Sequence, residues 1–439
     1  MLRNPPSAIL YQSADREITL IDVPTSIALA QGRCGALLST APLEEPIQPK
    51  EDYQSRTSKT TDRSQSDTAR HETCRALIQQ ALLDISAHVP GVWCAPRHVF
   101  PPCNKTALQP NDPERDLEFR FREWAAERGR RDESSCDFQT MMASLGAPEA
   151  TPTAESTAPK WVMSSSASGH VTASSTHMLP AFYNAERQSV KLVIARATAE
   201  EGTEPCEYHF TVPPLSAFFL GDCDRPDSFR SSFRHLTDEH SLPRHFDLVL
   251  LDPPWPNRSA KRKGAYEQVG GMPYLKKMLL KMDIDNYLEH NALVGVWITN
   301  KPALRDHVLG PGGLFEAWNL GLIEEWIWIK TTTKGEPIFD IDDAMRKPYE
   351  ILLLGRAAPN SWTTMTHAPN PRKRVIAAVP DIHSRKPNLK EMLEPYMPDP
   401  TSYSALEVFA RSLVAGWMSW GNEAFKYNSD MYWPNTGKC

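Results

Sequence analysis

Apolar and polar positions along the chain change rhythm twice. Cys74, Leu77, Ile78, Ala81, Leu82 and Ile85 recur at helical spacing, and Pro90 closes that pattern. Asp112 then reads as a helix cap with Pro113 in the first turn. Leu117, Phe121, Trp124 and Ala125 form its apolar stripe, and Gly129 is its stop. Upstream, residues 18–23 alternate like a short strand. Residues 45–70 have almost no apolar content and are expected to be disordered. The stretch 145–178 is rich in Ser, Thr, Ala and Pro and reads as a linker or long loop. Beyond it, strand-like runs recur at Lys191–Ala197, Glu207–Val212, Phe246–Leu251, Leu293–Thr299, Glu324–Lys330, Tyr349–Leu354, Val375–Val379 and Leu406–Phe409. Helical patterns lie between several of them, at Pro273–Met282, Pro302–Leu309 and Leu389–Tyr396.

Runs that are apolar on both faces and alternate with helices predict a mainly parallel α/β sheet. The expected organisation is an α-containing N-terminal extension over 1–144, the linker at 145–178 and an α/β domain over 179–439. Trp326 and Trp328 share one strand face and are expected to pack in the core. In open α/β sheets, ligands bind outside the carboxyl ends of strands. Asp252 stands at such an end.

Composition narrows the picture further. The chain has 439 residues, 41% of them hydrophobic, which allows a large core and a second unit. Its 38 prolines against 21 glycines place much of the chain in loops. The net charge of -6 excludes a bulk polycation, so any nucleic-acid contact needs a local basic patch. None of the eight cysteines forms a C-x-x-C pair, and Cys94, His98 and Cys103 lack paired zinc spacing. No metal is expected. The thiols read as reduced and partly buried. The N-terminus lacks the pattern of a signal peptide, and no apolar run reaches membrane-spanning length, so a soluble intracellular protein is expected. Neither G-x-x-x-x-G-K-[ST] nor G-x-G-x-x-G occurs, and Gly310-Pro311-Gly312-Gly313 reads as a turn.

The chemistry concentrates at Asp252-Pro253-Pro254-Trp255, which follows the run Phe246–Leu251. This tetrad offers a carboxylate, rigidly aimed carbonyls and a flat aromatic face, a set suited to an exocyclic amine on a planar ring. The N6 amine of adenine is a poor nucleophile because its lone pair is delocalised into the ring. Acceptors for its N–H groups, here Asp252 and the Pro253 carbonyl, would free that lone pair. Pro254 keeps the backbone rigid. Trp255 would stack the base, worth about 1–3 kcal/mol, and an aromatic face also suits a sulfonium. As a bare tetrapeptide, the same residues could be a Pro-Pro turn with a packed Trp. Asn257, Arg258, Lys261, Arg262 and Lys263 follow, and the four cations among them could meet substrate phosphates or form a solvated face.

The tetrad after an apolar strand resembles the N6-adenine methyltransferases that include the eukaryotic messenger-RNA adenosine methylases, most closely the methyltransferase-like-four subfamily. The matching blocks are 248–262, 324–339, 347–356, 382–393 and 406–423, in the same order. The resemblance implies a permuted Rossmann-like methyltransferase sheet using S-adenosylmethionine, with the catalytic strand before the cofactor strand (Leu406–Phe409). It implies that Lys386 pairs with the cofactor carboxylate, that Arg411 and Glu423 hold its ribose, that Asn422, Asp222 and Cys223 lie on its adenine side, and that Phe409 lines the pocket. Taken singly, each of these residues has an ordinary structural reading. The family often has Phe-Gly-Arg where this chain has Phe409-Ala410-Arg411, which removes backbone freedom near the ligand. Lys347, Tyr349 and Glu350 match a further block without a readable role. The N-terminal half would help to form the substrate surface or simply pack on the catalytic domain. The resemblance further implies a monomer, a location in the nucleus or cytoplasm, and a target adenine in DNA or in RNA such as a 2′-O-methyladenosine of a small nuclear RNA. The alternatives are a catalytically inactive nucleic-acid-binding or scaffold relative, and a methyltransferase for cytosine N4 or a small-molecule amine. Asp252, Trp255, Lys386 and Asn422 favour an active adenine enzyme.

Overall fold

The computed structural model describes residues 6–33, 35–48, 65–100, 113–126, 161–166, 178–196, 206–256, 271–343, 346–382 and 385–434. In chain order the elements are β1 (Ile9–Gln12), β2 (Ile18–Ile21), α1 (Val23–Ala30), β3 (Leu38–Ser39), α2 (Gln65–His88), β4 (His98–Val99), α3 (Pro113–Ala126), β5 (Trp161–Ser165), β6 (Ala181–Tyr183), β7 (Val190–Arg196), β8 (Glu207–Val212), β9 (Ala217–Leu220) and α4 (Pro226–His240). There follow β10 (Phe246–Leu251), α5 (Gly271–Lys281), β11 (Leu288–Thr299), α6 (Pro302–Leu309), α7 (Leu314–Ala317), β12 (Leu320–Lys330), β13 (Tyr349–Ala357), β14 (Arg372–Ala378), α8 (Lys390–Leu393), β15 (Ala405–Val408) and β16 (Met418–Gly421). The chain divides into two compact units. One joins Met1–Cys103 to His245–Ala405 and Trp433–Cys439, and the other joins Asn104–Arg244 to Leu406–Tyr432.

The first unit is built on the strand order β1-β2-β14-β12-β13-β11-β10. β10 pairs parallel with β11, β12 with β14, and β14 with β2. Only β13 and the edge strand β1 run against this direction. β13 is antiparallel to both neighbours, so β11 and β12 remain parallel across it. Its first residues, Tyr349 and Glu350, therefore lie at the edge where β10, β11, β12 and β14 end. These strands are apolar on both faces because helices cover them. Leu248, Val249, Leu251, Val294, Val296, Trp326, Trp328, Leu352 and Leu353 are all buried, which places the two β12 tryptophans in the core as expected. Gly295 marks a close approach, since a Cβ there would sit 2.6 Å from Leu250 Cδ2 and would force that side chain to shift.

The N-terminal residues extend this sheet rather than standing apart. β2 pairs with β14, and α2 buries Cys74, Ile78, Ala81 and Ile85 as its helical spacing predicts. Of the two N-terminal helices expected from the sequence, α2 packs across β2, β12 and β14. From 45–70, residues 49–64 lie outside the described residues, but Gln65–Arg70 are the first turns of α2, a correction to the disorder expected there. Those polar turns share a continuous helix with the apolar face downstream, which stabilises them.

The second unit carries β15-β16-β9-β6, parallel except for β6, and a separate antiparallel sheet β5-β7-β8. α3 belongs here. Phe121 packs edge-on against Phe210 and Phe425, with Phe121–Phe425 centroids 4.9 Å apart, and Trp124 meets Trp161 and Tyr208. Most of 145–178 lies outside the described residues. Trp161–Ser165, however, forms β5, a second correction: Trp161 is buried against Trp124 and Tyr208 despite its polar surroundings in sequence. The two units thus do not follow the composition-based boundary, because β1–β2 complete one sheet and α3 seals the other unit.

Phe121→Ala is expected to destabilise the protein by about 3–5 kcal/mol through cavity formation in a cluster without polar compensation. Urea unfolding followed by tryptophan fluorescence would read this directly, and an unchanged midpoint would contradict the packing described.

Candidate active site

In the first unit, β10 ends in buried Leu251 and hands the chain to Asp252 at the sheet's carboxyl edge. The Trp255 N–H donates to Pro253 O at 2.7 Å, a three-residue turn centred on Pro254, whose ring already holds the φ such a turn needs. One lone pair of the Pro253 carbonyl is used in that turn, leaving a second acceptor direction. Trp255 is buried, and its indole Nε1 donates to the Trp297 carbonyl of β11 at 2.6 Å, so the ring is held in one orientation. Beyond the turn, Lys301 Nζ donates to Pro256 O at 3.0 Å.

Asp252 faces a lysine. Lys386 Nζ donates to both Asp252 carboxylate oxygens at 2.9 Å and lies 3.2 Å from Glu350 Oε2. Glu350 Oε1 in turn accepts from Lys330 Nζ at 2.6 Å. The series Lys330–Glu350–Lys386–Asp252 alternates in sign and balances in charge. Its members come from the end of β12, the start of β13, the loop after β14 and the end of β10. Burial works to raise the Glu350 carboxyl, yet Lys386 and Lys330 bring it down to about 2. Burial works to neutralise Lys386, yet Asp252 and Glu350 hold its ammonium above the ordinary lysine value. Lys386 also lies over the Trp297 ring at 5.3 Å.

Glu350 and Lys330 were not among the sequence-predicted site residues. Their signal was a lone Glu opening the apolar run Tyr349–Leu354 and a lone Lys closing Glu324–Lys330. Neighbouring charges at one end of buried strands need partners. Tyr349 and Lys347 belong to an adjoining network. His71 of α2 meets the Tyr349 hydroxyl at 2.9 Å, the Lys347 ammonium at 3.0 Å and Asp342 at 3.0 Å.

In the second unit, the residues matched to cofactor binding gather at the carboxyl ends of three adjacent parallel strands: Phe409 and Arg411 after β15, Asn422 and Glu423 after β16, and Asp222 and Cys223 after β9. The strand ends approach closely, since a Cβ on Gly421 would lie 3.3 Å from the Ala410 backbone. Arg411 Nε is 3.7 Å from Glu423 Oε2. Asp222 is exposed, whereas Cys223 is buried, and that burial pushes its thiol well above the usual range, which suits packing rather than nucleophilic chemistry. Phe409 holds φ at +61°, a strain of about 1–2 kcal/mol for a residue with a Cβ. The left-handed turn thus falls on Phe409 and not on Ala410, where the family often has glycine. A carboxylate, a guanidinium and an amide on neighbouring strand ends form a donor and acceptor set that suits a ribose diol and an adenine edge.

Asn257, Arg258, Lys261, Arg262 and Lys263 lie outside the described residues. The described basic face nearest in sequence is on α5, where Lys276, Lys277 and Lys281 line an open depression of about 490 Å³ with Pro273, Leu280 and Asp283. None of these three lysines has an ion-pair partner among the described residues, and Tyr274 on the same helix is 44% exposed. No metal-holding cluster of His, Cys, Asp or Glu occurs among the described residues, and no helix there is long and apolar enough to cross a membrane.

The MT-A70 family matches residues 246–423. The chain is 38% identical over 260 residues to the N6-methyladenosine RNA methyltransferase MTA1 of Cryphonectria parasitica, covering 56% of this chain and 74% of that protein. It is 40% identical over 238 residues to the protein of the same name in Pyricularia oryzae, covering 54% of this chain and 59% of the relative. To the human N(6)-adenine-specific methyltransferase METTL4 it is 33% identical over 226 residues, covering 50% of this chain and 43% of that protein.

Glu350 titrates at about 2 in the fold against 4.5 unperturbed, so its stabilising contribution is full above about pH 4.5 and is lost as pH falls toward 2. Glu350→Gln is therefore expected to lower stability at neutral pH by on the order of 3 kcal/mol. Chemical denaturation across pH should show the difference from the wild type shrinking on acidification. A constant gap from pH 7 to pH 2 would contradict the pairing.

Proposed function

This chain belongs to the MT-A70 family of N6-adenine methyltransferases, and we propose that it methylates adenine N6 in RNA, using S-adenosylmethionine. The observation that carries the reading is the Asp252–Trp255 turn at the end of β10, with its carboxylate fixed by Lys386 and its aromatic ring fixed by Trp297. The choice of RNA is supported by the two RNA-methylating relatives named above, and a duplex DNA substrate is the outcome that would replace it.

In this mechanism, Asp252 and the second lone pair of Pro253 O accept the two N6–H groups. That draws the nitrogen toward tetrahedral geometry and releases its lone pair from the ring. Lys386 already occupies one direction on each Asp252 oxygen, and a carboxylate oxygen can accept more than one hydrogen bond. Trp255 stacks the extruded base, its orientation set by the bond to β11. Arg411, Asn422 and Glu423 are the residues that would hold the nucleoside end of S-adenosylmethionine, which when bound would supply an electrophilic methyl group, its S–CH3 bond breaking to leave a neutral thioether. As N6 gains the methyl group it sheds a proton, and Asp252 is the base that receives it. The α5 lysines suit the phosphates of a polymer flanking the target adenine.

Tritiated methyl transfer to single-stranded RNA, single-stranded DNA and duplex DNA, with nucleoside mass spectrometry of the products, tests the reading. Asp252→Asn is expected to lower kcat by about 10²–10³-fold on the preferred polymer, as removal of one group acting on a transition state does. Full activity in that variant, or label found only on cytosine, would sink the assignment.

Lys276→Glu/Lys277→Glu/Lys281→Glu is expected to weaken RNA binding and to flatten the log K against log salt slope by about 2, from roughly 0.7 per phosphate contact on a single strand. Fluorescence anisotropy in a salt series reads both quantities. An unchanged slope would remove α5 from the substrate path.

A further inference from the structure

The loop that delivers Lys386 is held from a part of the chain outside the family match. It leaves β14 at Ala378 and reaches α8 at Lys390. Just after β14, Asp381 and Arg385 form an ion pair of 2.7 Å whose side chains are 0% and 1% exposed. Burying two charges is costly, and hydrogen bonds to their remaining donors and acceptors offset that cost. The N-terminal segment supplies several of these bonds. Thr40 N–H donates to Asp381 Oδ1 at 2.9 Å, Ser39 Oγ donates to Oδ2 at 3.2 Å, and Arg385 Nη1 donates to Leu38 O at 2.9 Å. Arg97, just before β4, then spans the join. Its guanidinium donates to Val379 O at 2.7 Å, Pro380 O at 2.8 Å and Thr40 O at 3.3 Å. At the far end of the loop, Asn388 N–H donates to Ser26 Oγ of α1 at 3.0 Å. The loop is therefore tied to the N-terminal residues on both sides of Lys386.

We propose that Arg97 and the segment of β3 and Thr40 form a positioning clamp for Lys386, making the N-terminal segment part of the machinery that sets the Asp252 carboxylate. The role of Lys386 in methyl transfer rests on the function proposed above, but the clamp does not. Arg97 touches no reacting group in this scheme and acts through the loop. Three carbonyls from two segments converge on one planar fork, a geometry that a lysine ammonium cannot reproduce.

The test uses the full chain with Arg97→Ala and, as a milder variant that retains the charge, Arg97→Lys. Competitive acetylation read by mass spectrometry reports the accessibility of each lysine amine. In the wild type, Lys386 is expected to label far more slowly than Lys276 and Lys277, because its ammonium is held between two carboxylates. In both variants Lys386 labelling rises severalfold, while Lys276 and Lys277 are unchanged. On the preferred polymer, kcat falls about ten- to a hundredfold, as expected for misplacement by an ångström or less, with KM for the polymer unchanged. Lys386 labelling that stays at the wild-type rate in a folded Arg97→Lys protein overturns the clamp. So does a general rise across all the lysines, which would report looser structure instead. If the wild type transfers no methyl group to any polymer, the enzymatic reading fails, and the labelling pattern still decides the clamp.

Discussion

A part-buried ammonium between two carboxylates is the constraint on which the rest of the first unit depends. Lys386 reaches Asp252 and Glu350 together, and Glu350 is shared with Lys330. Removing several ions from water is expensive unless each has a close partner of opposite sign. Four residues from four segments must therefore arrive at one sheet edge together. The parallel run of β10, β11, β12 and β14, with β13 reversed among them, brings four strand ends and one strand start to that edge.

This arrangement gives the Asp252–Trp255 turn its character. A carboxylate at a strand end in water would be a mobile acceptor. Here it is fixed by Lys386 from one side, while Trp255 is fixed by a bond to the β11 backbone. Carboxylate and indole ring are thus both held in one orientation, which in the proposed mechanism leaves little reorganisation for the reaction. The loop carrying Lys386 owes its own order to the buried Asp381–Arg385 pair and to Arg97. The N-terminal residues are thereby integral to the unit whose sheet they extend.

The second unit organises its chemistry differently. Its candidate nucleoside-binding residues sit on parallel strand ends packed closely at Gly421, next to a strained Phe409. Its stability rests on aromatic packing, with Phe121, Phe210 and Phe425 meeting edge-on. α3 is committed to that cluster, and its Glu118 accepts from Lys426 Nζ at 2.5 Å. A helix far away in sequence thus seals the C-terminal strands.

The strand runs, the amphipathic faces of α2 and α3, and the Asp252–Trp255 turn at a strand end were legible in the sequence, because each is carried by the spacing of neighbouring residues. Lys386, Arg411 and Asn422 were singled out only through the order of matching blocks. Glu350 and Lys330 escaped, because their meaning lies in meeting diagonally across β12 and β13, where Glu350 is opposite Trp328, a register that no local pattern encodes. β5 escaped because Trp161 finds its partners only in three dimensions. The role of the N-terminal residues was equally invisible, since β2 is completed by β14 and Thr40 by Asp381, each more than three hundred positions away. Local periodicity determines which face of an element is buried. Which charged residues must share one edge was decided only when the sheet closed and withdrew much of their water.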